Sequence, residues 1–365
     1  MTLKNKEIYS GIIYAFFFVL QNVIGLVYSP YSFVSFYWIT ITIAIGLIGF
    51  NLPITKIKYR PALFFTITCV FGAFLSYING KSFVGAITKS IFIISGFIGF
   101  VYLVEKRINL IVFDFLLVSL YIFFYFSYFS LDSETRFLMD GDFFGHSSSN
   151  AIAMSLNIIL FFYLIISKQQ VNQLKIFIFS IINLLLIFVQ ESRAGIVVSS
   201  LILVMSMVDL FNINHKRKYI SYLYTTIIVF YFILSFNNEI GDYLSSVQLE
   251  GISTFQEDIR NESQQAFFIK MDIGSFLFGY PDDFNFSQGI TRTFNSFLDF
   301  WNRFGFIPFF LFMVLLYYRI SRPYNYSTSL IYFFPLIFYS LVEALWGGTQ
   351  WDILIFLLLF YSSKK

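Results

Sequence analysis

The chain has 365 residues, 58% of them hydrophobic and only 12% charged, with a formal net charge of +3. That balance, with a mean hydropathy of +0.73, excludes a soluble globular domain and points to a polytopic membrane protein. Without a basic run interleaved with aromatics, nucleic acid is excluded as a partner, and the single cysteine, Cys69, excludes a disulfide framework or a cysteine-based metal site.

A bilayer core takes about 20 apolar residues per helix. Such runs are predicted over 8–28, 31–50, 61–79, 83–104, 108–130, 150–167, 174–190, 194–211, 219–236, 296–318, 328–345 and 349–363. The expected fold is an all-α polytopic integral membrane protein of about 12 transmembrane helices, one transmembrane domain over 1–365. The first run is too long for a cleaved leader and is expected to remain a helix. Cys69, inside the third run, reads as packing. The last two runs are short and alternatively form one re-entrant element. Aromatic residues make up 22% of the chain, and they are assigned to lipid and core contacts.

Lysine and arginine set the orientation. With the N-terminus cytoplasmic, most basic residues fall in inner connections, among them Lys56, Lys58, Arg60, Lys106, Arg107 and Lys216–Lys218. Both termini are then cytoplasmic. Two outer segments are longer than turns: 131–150, and a stretch of roughly sixty residues over 237–295 between the ninth and tenth helices, too long for a simple connector. Most of the acidic residues in that stretch are expected to be solvated.

Polar residues near the outer face are the candidates for chemistry. Glu191 and Arg193 interrupt the junction of the seventh and eighth helices in QESRAGIVVSS. An arginine at the rim of a membrane bundle either pairs, here with Glu191, or binds an anion. Arg260 and Arg292 lie in the long outer stretch, and Arg303 lies about two turns into the tenth helix. Guanidinium groups make planar, bidentate contacts to phosphate oxygens, so several on one side suggest a diphosphate site. Lys89, about two turns inside the fourth helix, either snorkels to the interface or adds a phosphate contact. Asp299 and Glu343 are open to two readings, general base or partner of an arginine. His146 sits beside Ser147–Asn150, which can cap the sixth helix or serve the site. His215 reads as a solvated loop residue. The sequence carries no GxxxxGK[ST], HExxH or GxSxG, which argues against nucleotide hydrolysis and zinc proteolysis.

FVQESRAGIVVSSLILV resembles the Ser-Arg-Gly element of the bacterial O-antigen polymerase and O-antigen ligase superfamily, with Ser192, Arg193 and Gly195 in place and Ala194 between. RTFNSFLDFWNRFGFIPFFLFMVLL resembles that family's His-Asn-x-x-Leu element and the Gly-containing helix after it, matching Asn295, Leu298 and Gly305. RNESQQAFFIKMDIGSFLFGYPDDFN resembles the loop arginine and its following glycine turn, placing Arg260 and Gly279, and GHSSSNAIAMSLNIILFF matches more weakly at Asn150. Phe294 stands where the family histidine would, which argues against ligase and leaves a base unassigned.

The resemblance implies a metal-independent inverting glycosyltransferase with no cofactor. It would polymerise O-antigen or capsule repeat units, moving a glycan from undecaprenyl diphosphate to the non-reducing end of another undecaprenyl-linked unit. Arg193 and Arg260 would be catalytic. Arg292, Asn295, Ser192, Glu191, Gly195, Arg303, His146 and Asn150 would bind substrate. The expected partners are the undecaprenyl-diphosphate-linked oligosaccharide, membrane lipid and a chain-length regulator. The expected location is the bacterial inner membrane with the site facing the periplasm. The alternatives are a ligase of the same superfamily and a flippase or transporter of lipid-linked oligosaccharide; transporters favour charge at mid-membrane and paired repeats with broken helices.

Overall fold

The computed structural model describes residues 54–105, 114, 117–122, 124–125, 153–154, 156–161, 163, 173–189, 193–210, 262–282, 284–286, 293, 295–321, 335–341 and 352–360. Among the described residues all regular structure is helical and there is no strand. The helices are α1 (Arg60–Leu75), α2 (Phe83–Glu105), α3 (Gln173–Val189), α4 (Arg193–Leu210), α5 (Ile273–Phe278), α6 (Ser296–Phe304), α7 (Phe306–Ser321) and α8 (Ile353–Phe360). Residues 117–122, 156–161, 262–269 and 335–341 are also helical. Among the described residues two stretches are long and apolar enough to cross a membrane, Ile57–Asn79 and Phe83–Tyr102, while α3, α4 and α7 supply shorter apolar helices. The chain divides into two compact units, one holding 1–36 and 107–247, the other 37–106 and 248–365.

In the first unit α3 packs along α4. An aliphatic pair of helices has little hydrophobic reason to associate inside lipid, so buried polar side chains supply much of the contact specificity. Asn183 on α3 donates from Nδ2 to Asn157 Oδ1 at 2.9 Å and to Ser199 Oγ on α4 at 3.0 Å. Its Oδ1 accepts from the Tyr121 hydroxyl at 3.3 Å, and Asn157 Nδ2 donates to the Gly195 carbonyl at 2.9 Å. All four side chains are buried. Near the start of α3, Asp114 accepts from the Tyr163 hydroxyl at 2.5 Å and pairs with Lys175.

The second unit is built on the α1–α2 hairpin. The 3-10 turn Ser76–Asn79 and Gly80, whose φ is +83°, reverse the chain. At the open end Lys56, Lys58 and the Tyr59 hydroxyl converge on Glu105 at 3.1, 2.6 and 2.8 Å. Phe65 on α1 meets Phe300 of α6 and Phe356 of α8 with ring centroids 6.1 and 5.9 Å apart, and α8 lies along α2. The opposite face of α1 exposes Phe64, Ile67, Phe71 and Phe74. A stripe of large apolar side chains at helical spacing on the outside of a packed unit is what a lipid-facing surface requires.

Two expectations change. The run 296–318 is not one helix: α6 ends at Gly305, φ +82° and ψ 177°, and α7 starts afresh at Phe306. The cause is close packing, because a Cβ at Gly305 would run into the Leu277 carbonyl. The part of the long polar stretch that is described is folded. Phe267 from the helical residues 262–269, Tyr280 and Phe286 after α5, and Trp301 of α6 pack together in an aromatic cluster, the indole N–H donates to the Phe276 carbonyl at 2.8 Å, and the Tyr280 hydroxyl donates to the Phe267 carbonyl at 2.5 Å. Asp272 caps α5, its Oδ1 accepting from the Ser275 N–H at 2.6 Å.

Candidate anion-binding site

Three cationic side chains gather where the turn of the α1–α2 hairpin meets the C-terminal end of α5 and the last turn of α6. Lys81, in the turn, is 3% exposed. Its Nζ donates to the Phe278 carbonyl at 3.2 Å and to the Asn302 carbonyl. Those acceptors exist because Gly279 ends α5 with φ +78° and ψ 170°, a conformation in which a side chain would collide with Asn302. The Asn79 side chain fixes the same corner, donating to the Gly279 carbonyl at 2.6 Å, and Asn302 Oδ1 accepts from the Tyr280 N–H at 2.8 Å.

Ser82 caps α2, its Oγ accepting from the Gly85 N–H at 2.9 Å, and its own N–H donates to Asp282 Oδ2 at 2.8 Å. Lys89 lies about 9 Å along α2 from Phe83 at 1.5 Å per residue, and helical side chains lean toward the N-terminus. Its ammonium therefore reaches back to the turn, where it stands 3.4 Å from Asp282 Oδ1 with its side chain 12% exposed. Lys89 is thus a mostly buried side chain whose ammonium is tied to Asp282 at the hairpin turn. Arg303 lies within electrostatic range of both lysines, and its Nη2 is 3.8 Å from Asp299 Oδ2. Asp299 is buried; its Oδ1 accepts from the Thr293 hydroxyl at 2.6 Å and N–H at 3.3 Å, while Oδ2 has no hydrogen-bond partner. Asp299 thus stands as an arginine partner, the second of its two readings.

The electrostatics follow from burial. Desolvation pushes the Lys81 ammonium well below the usual lysine range, with the charges of Lys89 and Arg303 pushing the same way and Asp282 pushing against them. Burial alone would raise the Asp282 carboxyl, but the Ser82 N–H and the Lys89 ammonium outweigh it and hold the group below its ordinary value. Asp282, expected to be solvated with the rest of its segment, is instead bound to the hairpin turn. Lys89 stands by Asp282 and Arg303 by Asp299, while Lys81 donates to backbone carbonyls.

The remaining predicted residues are placed as follows. Arg193 is the first residue of α4. Gly195 is buried two positions on, with its carbonyl held by Asn157. Asn295 caps α6, its Oδ1 accepting from the Phe297 and Leu298 N–H groups at 3.0 and 3.3 Å, and its Nδ2 donates to the Leu341 carbonyl at 3.3 Å. Glu191, Ser192, Arg260, Arg292, His146, Asn150, Phe294, His215 and Glu343 lie outside the described residues. Sequence reasoning missed Lys81 and Asp282. Lys81 follows an Asn-Gly turn directly between two spans, and that position was the one signal available. Among the described residues no three His, Cys, Asp or Glu side chains gather as a metal site. No protein-family model matches this chain, and no curated protein and no solved structure matches it either.

Proposed function

We propose that this chain is a polymerase of bacterial surface polysaccharide, O-antigen or capsule, embedded in the inner membrane through about 12 spans with its site on the periplasmic side. It transfers a growing glycan from undecaprenyl diphosphate to the non-reducing end of a second undecaprenyl-linked repeat unit. A sugar hydroxyl of the acceptor attacks the anomeric carbon, and the bond from that carbon to the diphosphate oxygen breaks with inversion. The electron pair leaves on the diphosphate and the hydroxyl proton passes to the released anion. Guanidinium groups of Arg193 and Arg260 stabilise the charge that develops on the leaving group. A well-stabilised leaving group lowers the demand for a base, which suits Phe294 at the family's histidine position.

The observation that carries this reading is the position of Arg193 at the first residue of α4, where the Ser-Arg-Gly resemblance expects an arginine opening a helix. The Asn157 bond to the Gly195 carbonyl holds this end of α4 in place.

The reading is tested with the full chain purified into lipid nanodiscs and supplied with undecaprenyl-diphosphate-linked repeat units alone. Wild type lengthens the lipid-linked glycan, and Arg193→Lys, which keeps the charge but loses the fork, loses most of that activity. Equal elongation by the variant would remove Arg193 from the mechanism.

A further inference from the structure

The long polar stretch carries an apolar feature that the proposed reaction does not use. Phe268, Ile269, Ile273 and Leu277 are all exposed, Ile269 by 80% and Ile273 by 81%. Single exposed apolar side chains are ordinary on any protein surface, but four large ones crowded into one short segment are not. Ile273 and Leu277 stand four residues apart on α5 and so share a face of it.

The depth of this segment follows from the α1–α2 hairpin. Ile57–Asn79 is 23 residues long, about 34 Å at 1.5 Å per residue, which matches the roughly 30 Å of a hydrocarbon core. The turn at the end of it therefore lies at a membrane surface. α5 is bonded to that turn: the Asn79 side chain donates to the Gly279 carbonyl at 2.6 Å and Lys81 Nζ to the Phe278 carbonyl at 3.2 Å. Gly274 lies so close that a Cβ there would stand 2.8 Å from Asn79 Oδ1. α5 thus sits at the level where the span ends.

The exposed apolar surface is also continuous from the span to the turn. Phe74, the last member of the α1 stripe, meets the Phe83 ring at 6.1 Å, and Phe83 meets Tyr77 at 6.3 Å. Tyr77, Ile78, Phe83 and Val84 are all exposed, Ile78 by 69%. The lipid-facing side of α1 therefore runs on into the turn that carries α5. Charges fix the layer. Lys270 and Asp272 interrupt the apolar residues; Lys270 Nζ donates to the Asn285 and Phe286 carbonyls at 3.3 and 3.2 Å, and Asp272 accepts from the Ser275 N–H at 2.6 Å. Charged side chains are costly at the bilayer centre but at home at its boundary, which an amphipathic segment enters by about 5–10 Å.

We propose that residues 268–277 form an interfacial anchor, in which Ile273 and Leu277 of α5, with Phe268 and Ile269, enter the headgroup and acyl boundary of the leaflet at the hairpin turn. The occupant of this surface is lipid. The anchor rests on the α1–α2 hairpin crossing the membrane and is independent of the polymerase reading. It holds the folded part of the long polar stretch at the membrane surface, and the cluster of Phe267, Tyr280, Phe286 and Trp301 couples it to α6.

The test uses the full chain in phosphatidylcholine nanodiscs with a nitroxide on one introduced cysteine, Ile273→Cys. Cys69 is the single native thiol and is buried, so the unsubstituted chain gives the labelling background. Power saturation then compares collisions with oxygen, which concentrates in lipid, and with a neutral nickel chelate, which stays in water. Phe64→Cys, exposed on the α1 stripe, is the lipid reference, and the free nitroxide in buffer is the aqueous one. The label at 273 is expected to lose most of the nickel collisions of the free nitroxide and keep its oxygen collisions, at a shallower depth than the label at 64. Leu277→Cys reads the same face of α5 from a second position and is expected to agree. Nickel access at 273 equal to that of the free nitroxide places the residue in water and overturns the proposal. A label that neither reagent reaches is covered by protein, whether a second copy or another part of the chain, and overturns it as well. Water at 273 with lipid at 64 removes the anchor alone; water at both removes the membrane-crossing hairpin with it.

Discussion

Replacing Gly279 by alanine probes the corner on which the cationic cluster is assembled. Its backbone, φ +78° and ψ 170°, lies in a region populated almost solely by glycine, and forcing another residue there costs about 1–3 kcal/mol. The new Cβ would also meet the Asn302 carbonyl and come within 2.5 Å of Lys81 Nζ. Relief requires α5 and α6 to separate, which strains the Tyr280–Asn302 and Trp301–Phe276 hydrogen bonds, both 2.8 Å long. With about 1 kcal/mol for each bond weakened, the expected loss is roughly 3–5 kcal/mol. At about 2–4 °C per kcal/mol for a unit of this size, Tm falls by roughly 6–20 °C. Gly279→Asn separates the two possible origins of the effect. Asparagine tolerates the ordinary left-handed region but not this one, so it is expected to cost as much as alanine. The assay is thermal unfolding of the full chain in detergent, followed by tryptophan fluorescence, to which Trp301 in the cluster contributes. A Tm within about 1 °C of wild type for alanine, or rescue by asparagine, would refute the reasoning.

Asn183→Leu removes three buried hydrogen bonds from the first unit. At about 0.6 kcal/mol for a membrane interhelical bond it should cost roughly 2 kcal/mol by the same melt, with Ser199→Ala costing less; equal Tm values for the two variants would contradict this additive sum and show that the bonds act as one cooperative unit. Burial alone would raise the Glu105 carboxyl, but bonds from Lys58, Tyr59 and Lys56 outweigh it and bring the group from its ordinary 4.5 down to about 2. A depressed carboxylate stabilises the fold fully above the ordinary value, and the contribution fades as pH falls toward about 2. Melts across that window should therefore decline with acid, and Glu105→Gln should flatten the decline. An unchanged slope in that variant would mean other groups carry it.

The helical hydrophobic runs were legible because the period and length of apolar sequence are local properties. The expected 61–79, 83–104, 174–190 and 194–211 match α1 with its terminal turn, α2, α3 and α4 within a residue or so. The break inside 296–318 was hidden because Gly305 sits in an apolar run that scores as one span, and only the approach of the Leu277 carbonyl demands a turn there. In hindsight Asn295 before the run and Asp299, Asn302 and Arg303 within it mark an amphipathic first segment. The candidate cluster was half legible. Lys89 and Arg303 stood out as charges in apolar company, but Lys81 finds its acceptors 197 and 221 residues away. No periodicity encodes such pairings. The same holds for Asn157, Asn183 and Ser199, which read as unremarkable polar interruptions of three separate runs until the helices meet.

The central claim is that this chain joins lipid-linked repeat units through Arg193. The most direct measurement is a gel of surface polysaccharide from cells lacking the gene, complemented with wild type or with Arg193→Ala. The account predicts that wild type restores the long-chain ladder, while the variant leaves core bearing a single repeat, because export and ligation still operate. A full ladder from Arg193→Ala would contradict the account, and so would loss of even the single repeat in the deletion strain, which would point to a flippase or ligase.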